Sequence, residues 1–343
     1  MHAAPTAIDA AGAFLAAFDQ AVAAAGAASA DFAVVGRRVR LRFAGPALIA
    51  PMTRALAHRR IASTGEADLT ILLWDEGSTG VAAPAGAGLA GPGAPPSRSG
   101  AVTVAVAPDA DMVQAFDCDR RAGFFWARRA EGIPAADLSR PLLNVLHWWL
   151  ADSPWLLVHA AAIAGAAGGI LLAGPGGAGK STSALACLRA GWRYAGDDFV
   201  AVRPRPSPVV DNIYSSGRLR TDMAARFAAF DPVRAPEGAG SIDGKAGYLF
   251  AGHVAPQRFG DAPLRAILLP RVEGRAGHAL RKATRAEAWT SLAATVTVLR
   301  GGDDAALAKI RDLVAALPAF RLSLGPDVEA LPGFLARELG IAP

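Results

Sequence analysis

The 343-residue chain contains few of the residues that form disulfides or bind structural metals: two cysteines, Cys118 and Cys187, and six histidines. The two cysteines are far apart in sequence, and no spacing is typical of a disulfide framework or a zinc site. Cys187 falls in a predicted helix, where a small apolar side chain is the simplest interpretation. An apolar core must therefore stabilise the fold, and a hydrophobic content of 52% can form a sizeable one.

Long apolar segments without charge or proline are also missing, so the sequence predicts no membrane-spanning helix. The N-terminus lacks a basic stretch followed by an apolar core, and Asp9, Phe18 and Asp19 interrupt its alanine-rich opening. The formal net charge is +5, but the arginines are scattered in pairs and do not form a stripe. This pattern favours a solvated basic exterior over a nucleic-acid surface. We predict a cytoplasmic protein without nucleic-acid or membrane partners, and the sequence leaves open whether it forms a homo-oligomer.

One stretch, Gly174 to Ser181, matches the phosphate-loop pattern G-x-x-x-x-G-K-[ST] in full. A short apolar strand is predicted at 169–173 and a helix at 181–189, closed by Gly191. A glycine loop between a strand and a helix N-terminus directs backbone N–H groups at a phosphate. The residues predicted to contact a nucleotide are Gly174, Pro175, Gly176, Gly177, Ala178, Gly179, Lys180, Ser181 and Thr182.

Two side chains of this loop have specific expected roles. Lys180 can reach the β- and γ-phosphates, and the Ser181 hydroxyl can coordinate Mg²⁺. The alternative is a glycine-rich turn between strand and helix that binds no ligand. The chain has neither the L-S-G-G-Q signature of ABC-type ATPases nor the N-K-x-D motif of GTPases, which excludes those two classes.

Ionisable residues flank the loop on both sides, with His159 before it and Asp197-Asp198 after it. Phosphoryl transfer to a hydroxyl requires a bound nucleotide, Mg²⁺ and a carboxylate that accepts the hydroxyl proton. Two adjacent aspartates at a strand end can divide the last two tasks. The sequence leaves two simpler interpretations open, namely a turn or helix cap for the aspartates and a core position for His159.

With these three elements the sequence resembles the catalytic domain of the HPr kinase/phosphorylase family and its related serine kinases, over roughly residues 140 to 203. The resemblance implies an α/β phosphate-loop domain related to PEP carboxykinase, with ATP and Mg²⁺ as cofactors. It further implies Asp198 as the proton acceptor and His159 and Lys180 as other catalytic residues. Asp197 would support the metal together with Ser181.

The chain departs from that family downstream of the loop. The segment Asn212 to Leu219 has no acidic residue where the family carries a metal ligand, and the family's arginine- and glycine-rich C-terminal loop is not recognisable. The roles of Asp222, Lys245 and Arg271 stay open. The resemblance is therefore to the divergent members, which include kinases acting on ribosomally made peptides such as lasso-peptide precursors.

The sequence predicts two domains. Residues 1–135 would form an α+β accessory domain that recognises the acceptor, with a flexible segment at 76–100 rich in Gly, Ala, Pro and Ser. Residues 136–343 would form the catalytic domain.

The predicted activity is ATP- and Mg²⁺-dependent phosphorylation of a serine-type hydroxyl on a peptide or protein. The main alternative is a regulatory nucleotide-binding protein without transfer activity. A PEP-carboxykinase-like enzyme is a weaker one, because its metal-binding histidine and lysine pattern is not visible. The choice between ATP and GTP also stays open.

Overall fold

The computed structural model shows a chain of two compact units that divide between Trp149 and Leu150. The structure describes residues 7–84, 91–220, 245–250, 260–274, 276–300 and 304–343. The sequence placed the division at about residue 135, whereas residues 136 to 149 group with the first unit. Each unit contains its own large sheet.

The first unit is built on an eight-stranded sheet in the order β3-β1-β2-β4-β8-β7-β6-β5. The pairs β2–β4 and β4–β8 are parallel and the others are antiparallel. Its strands are β1 (Ala27–Val34), β2 (Arg37–Ala44), β3 (Arg60–Ile61), β4 (Leu69–Asp75), β5 (Ser97–Ser99), β6 (Val102–Val106), β7 (Met112–Asp117) and β8 (Ala122–Ala127). Its helices are α1 (Ala7–Ala25), α2 (Ile49–Thr53), α3 (Glu76–Thr79), α4 (Ala135–Ser139) and α5 (Leu143–Leu150).

Helix α1 covers one face of this sheet because it carries aromatic side chains one helical turn apart. Phe14 stacks on Phe124, and both Phe14 and Phe18 meet the Trp74 ring edge to face. The alanines around them allow the helix to lie close to the strands. The first unit therefore has an independent apolar core.

The second unit contains a nine-stranded mixed sheet and a separate two-stranded ladder, β15–β16. Its strands are β9 (Leu156–Val158), β10 (Ala160–Gly165), β11 (Gly168–Ala173), β12 (Arg193–Gly196), β13 (Val200–Arg203), β14 (Val209–Asp211), β15 (Ser216–Arg220), β16 (Lys245–Leu249), β17 (Ala262–Val272), β18 (Ala279–Lys282) and β19 (Ala319–Leu324). Its helices are α6 (Lys180–Arg189), α7 (Arg285–Arg300), α8 (Asp304–Ala316) and α9 (Leu331–Leu339).

Three neighbouring strands of the nine-stranded sheet run in the same direction, because β17 pairs in parallel with β11 on one side and with β19 on the other. Their carboxyl ends meet at one edge of the sheet, which is where ligands bind in sheets of this kind. The glycine loop follows β11 at this edge. The topology thus positions the loop beside the ends of β17 and β19.

The predicted mixed α/β architecture is confirmed, while its relation to the HPr-kinase type stays a prediction. The segment 76–100 has regular structure at both ends, in α3 and β5, and its residues 85–90 lie outside the described ranges. Within the ranges given above, no helix combines the length and apolarity that a membrane crossing requires.

Candidate active site

The glycine loop joins β11 to α6, and its geometry depends on glycine. Gly179 immediately precedes the helix with φ 98°, in the left-handed region. A Cβ at this position would come within 2.4 Å of the Leu324 side chain at the end of β19. Any other residue would therefore be strained and would collide with the neighbouring strand. Glycine therefore allows the loop to approach β19 closely. The N-terminus of α6 directly follows the loop.

The Lys180 ammonium lies inside the loop. Its side chain is 6% exposed, and Nζ donates to the carbonyl oxygens of Gly174, at 2.7 Å, and Pro175, at 3.0 Å. These bonds hold the positive charge where the loop begins.

Ser181 and Asp197 are joined by a hydrogen bond. The Ser181 hydroxyl donates to Asp197 Oδ1 at 2.9 Å, and the backbone N–H of Arg218 donates to Oδ2 at 3.2 Å. Asp197 is only 2% exposed, and this burial is the main reason that its pKa lies above the usual range, with the neighbouring Asp198 charge adding to it. The Asp197 carboxylate is hydrogen-bonded, but its burial and the neighbouring Asp198 charge make its ionised form energetically unfavourable, which we call electrostatic stress.

A tight turn after β12 directs the two aspartates to different partners. Asp198 has φ 65°, a left-handed conformation that aspartate tolerates better than most residues. Its Oδ1 lies 3.1 Å from Nε2 of His159, which is located between β9 and β10. The His159 ring stacks on Phe199 with a centroid distance of 5.4 Å. Asp197 therefore faces the loop serine while Asp198 faces the histidine.

These side chains line one small pocket of about 70 Å³, which we call the small pocket. The structure brings together here the side chains predicted to act in catalysis or to support the metal, and Arg218 joins them. The lining residues are His159, Gly177, Gly179, Lys180, Ser181, Thr182, Asp197, Asp198, Arg218 and Leu219. Their catalytic and binding roles stay predictions.

Two of the residues at this site were missed by the sequence reasoning. Arg218 belongs to the stretch that was examined only for an acidic metal ligand, and its position two residues into β15 gave no signal by itself. Phe199 directly follows the aspartate pair, so an aromatic residue beside a predicted catalytic turn was a usable signal.

A larger cleft of about 610 Å³ borders the other side of the loop, and we call it the large cleft. The residues from Gly174 to Ala178 form one wall, and the ends of β17 and β19 and one face of α7 form the rest. Arg271 lines this cleft and is absent from the lining of the small pocket, so the structure separates it from the aspartate pair.

Two other residues whose roles the sequence left open are not resolved by the site. Asp222 and the Lys245 side chain lie outside the described residues, although Lys245 begins strand β16.

The oxygen ligands at the small pocket match the preferences of Mg²⁺. The Ser181 hydroxyl and an Asp197 carboxylate oxygen lie 2.9 Å apart, so both could face one hard cation. Across the described ranges, no group of three or more His, Cys, Asp or Glu side chains could hold a metal on its own. A Mg²⁺ ion that takes one carboxylate, one hydroxyl and further oxygens from phosphates and water is compatible with this donor set.

No protein-family model matches the chain, and a search of curated proteins finds no match. Among solved structures, the chain is similar to the HPr(Ser) kinase/phosphatase from Coxiella burnetii, with 11% identity and a TM-score of 0.30, over 54% of this chain and 95% of that one. A likeness of this size assigns no function, and the family resemblance of the motifs stays a prediction.

Proposed function

We propose that the protein is an ATP- and Mg²⁺-dependent phosphotransferase that phosphorylates a hydroxyl group on a peptide or protein. The observation that supports this most directly is that the two adjacent aspartates of one turn contact different partners. Asp197 bonds to the loop serine at 2.9 Å, and Asp198 lies 3.1 Å from His159. A metal-supporting carboxylate and a separate proton-accepting carboxylate, next to a phosphate loop, are the groups that phosphoryl transfer to an alcohol requires.

The loop would bind the phosphates of the nucleotide. The N–H groups at the start of α6 and the Lys180 ammonium supply positive charge on the concave side of the loop. Phosphate oxygens would replace the Gly174 and Pro175 carbonyls as acceptors from Nζ. This exchange is favourable because a charged acceptor makes a stronger hydrogen bond with ammonium than a neutral carbonyl does.

Ser181 and Asp197 would hold Mg²⁺ against the phosphates. Mg²⁺ supplies charge neutralisation of the phosphate oxygens when it is bound. Burial raises the pKa of Asp197 in the protein without a metal ion. A bound Mg²⁺ would stabilise the ionised form of this carboxyl group. The buried carboxylate thus supports nucleotide binding and is unfavourable for the protein alone.

Asp198 would accept the proton of the acceptor hydroxyl. As the acceptor oxygen forms its bond to the terminal phosphorus, the bond from that phosphorus to the bridging oxygen breaks, and the hydroxyl proton moves to the carboxylate. His159 Nε2 lies 3.1 Å from Asp198 Oδ1, so an N–H on this nitrogen would donate to the carboxylate and orient it, and the Phe199 ring stacks on the imidazole. Arg218, at the rim of the small pocket, can balance charge on the transferring phosphoryl group.

The class of acceptor is proposed from the motif resemblance alone. The resemblance suggests a peptide or protein serine, including serines of ribosomally made peptides, and a first unit that recognises this acceptor. A cytoplasmic location, where ATP is supplied, belongs to the same proposal.

The test is a transfer assay with the purified protein, Mg²⁺ and γ-labelled ATP, with candidate peptides as acceptors and mass spectrometry of the products. We expect a peptide heavier by one phosphate and no product without Mg²⁺. Nucleotide binding without transfer to any acceptor would favour the alternative, a regulatory nucleotide-binding protein. Failure to bind any nucleotide would contradict both.

A further inference from the structure

We infer that the large cleft is the binding site for the nucleoside part of the nucleotide, so the loop separates a nucleoside site from a reaction site. This inference rests on the proposed function and extends it to a region that the sequence motifs do not reach. Residues from Gly174 to Ala178 face the large cleft, whereas Gly179 to Thr182 face the small pocket. Gly177 borders both spaces.

The positions of the ionisable groups determine which end of the nucleotide faces which space. His159 and Asp198 lie in the small pocket, so the reacting phosphate must end there. The other end of the phosphate chain carries the nucleoside and must leave the loop elsewhere. The large cleft borders the residues at the start of the loop and can take this end of the nucleotide.

The volumes agree with this orientation. The volume of the small pocket, about 70 Å³, equals that of roughly two water molecules in the liquid. This volume suits a metal ion or a hydroxyl group. The large cleft, at about 610 Å³, lies within the roughly 300–1,000 Å³ that small-molecule sites usually have. A base and a ribose can enter the large cleft but not the small pocket.

The charges of the large cleft favour a neutral ligand. Two arginines, Arg271 and Arg321, are matched by two glutamates, Glu273 and Glu287. Arg321 bonds to Glu287 at 2.5 Å, and Glu273 accepts from the Ser323 hydroxyl at 2.8 Å. A strongly acidic or basic acceptor peptide would find no net complementary charge on these walls, while a nucleoside needs none.

The walls also provide the contacts that a base and a sugar use. Val272 is 64% exposed and is one of two large apolar side chains with high exposure in the described ranges, and it lines the cleft. Its methyl groups can cover the flat face of a base. Across the cleft, α7 presents the hydroxyls of Thr290 and Ser291, which can bond to a ribose or to base edges.

The test compares binding of Mg²⁺-ATP and Mg²⁺-tripolyphosphate by calorimetry, because the second ligand has the phosphates without the nucleoside. Thr290→Trp fills the cleft from the exposed face of α7. We expect this variant to weaken ATP binding by about tenfold or more and to leave tripolyphosphate binding within about twofold of the wild type. Retained tripolyphosphate binding also shows that the variant is folded.

The matched control is Ala294→Trp, which adds the same indole to an exposed position of the same helix outside the cleft lining. It should change neither affinity. Val272→Trp is the second blocking variant, on the β17 wall, and should repeat the effect of Thr290→Trp.

Three results would overturn the inference. The first is equal affinity of the wild type for ATP and tripolyphosphate, which would remove the nucleoside site and leave the phosphate loop intact. The second is unchanged ATP binding in both blocking variants. If the KM of these variants for the acceptor rises at the same time, the large cleft binds the acceptor and not the nucleoside. The third is a wild type that binds neither ligand, which would contradict the proposed function as well.

Discussion

Two buried aspartates, one in each unit, show how the same side chain serves different purposes. Asp31 in the first unit is 0% exposed, and Asp197 in the second is 2% exposed. Asp31 accepts from the guanidinium groups of Arg38 and Arg40 at 2.8–2.9 Å. These contacts, with the Arg40 hydrogen bonds contributing most, hold its pKa below the usual value.

The pKa of Asp197 is shifted in the opposite direction. Its recorded partners are a serine hydroxyl and backbone N–H groups, and its chain neighbour Asp198 is another acid. Burial first, and Asp198 second, raise its pKa. Arginine partners favour the ionised form of a buried carboxylate, as at Asp31, whereas burial that outweighs the hydrogen bonds disfavours it, as at Asp197.

The largest expected effect is the loss of transfer activity on substitution of Asp198, the neighbour of Asp197. Asp198→Asn keeps the size and the left-handed conformation but removes the proposed proton acceptor, so kcat should fall by about 10²- to 10⁴-fold. Steady-state kinetics and nucleotide binding together check this, and the nucleotide Kd should stay nearly constant. Asp312→Asn, on the surface beside Arg205, is the matched control and should keep full activity. Full transfer by Asp198→Asn would show that the base is a different residue.

The next effect is on stability in the first unit. Asp31→Asn removes the charge between two arginines, so the melting temperature should fall by about 5 °C or more. Differential scanning calorimetry measures this, and Asp119→Asn serves as a control on a more exposed aspartate of the same unit. An unchanged melting temperature would mean that the contacts between Asp31 and the two arginines make no net contribution to the stability of the folded protein.

The opposite sign is expected for Asp197→Asn. Removing a buried charge next to Asp198 should raise the melting temperature of the protein without ligand, by less than the change at Asp31. The same variant should lose the additional stability that Mg²⁺-ATP gives the wild type, since a metal-supporting oxygen is gone. A lower melting temperature without ligand would contradict the idea that Asp197 is electrostatically stressed.

The smallest effect is a difference in pH windows between the two aspartates. The folded pKa of Asp31 is depressed, so its stabilisation is complete above the ordinary value of 3.8 and is lost as the pH falls below it. The folded pKa of Asp197 is raised, so its cost is absent below 3.8 and develops as the pH rises toward the folded value.

Melting curves against pH separate these two cases. On acidification, the gap between the wild type and Asp197→Asn should begin to close above pH 3.8, and the gap between the wild type and Asp31→Asn should close only below it. Coincident windows would mean that the two carboxylates titrate alike and that the comparison fails.

Much of the second unit could be predicted because its signals are local. The strand before the loop and the helix after it both appear in the structure, with the helix beginning one residue earlier, at Lys180, than predicted. The strand signal is a short apolar run followed by glycine, and the helix signal is an apolar face closed by Gly191, so both depend only on neighbours in sequence.

Predictions were weaker where tertiary contacts decide the backbone. The apolar stretch 138–150 has the sequence pattern of one helix, but the structure has two, because Pro141 and the left-handed Leu142, with φ 62°, interrupt it. Strand β7 has a weak sequence signal, because its alternation is weak and its burial comes from the strands on both sides. The stretch 46–58 also has a helical pattern, whereas the structure has the short α2 followed by a 3₁₀ turn.

The sequence by itself determined the loop, the lysine and serine at its end, and the two acidic residues after the next strand, because these depend on residue type and spacing. Only the tertiary structure decided how the aspartates divide. The turn at Asp198 directs one carboxylate to Ser181 and the other to His159, and long-range pairing positions β15 so that the Arg218 N–H reaches Asp197. The electrostatic stress on Asp197 likewise comes from burial, a property of the packed molecule that no local stretch of sequence contains.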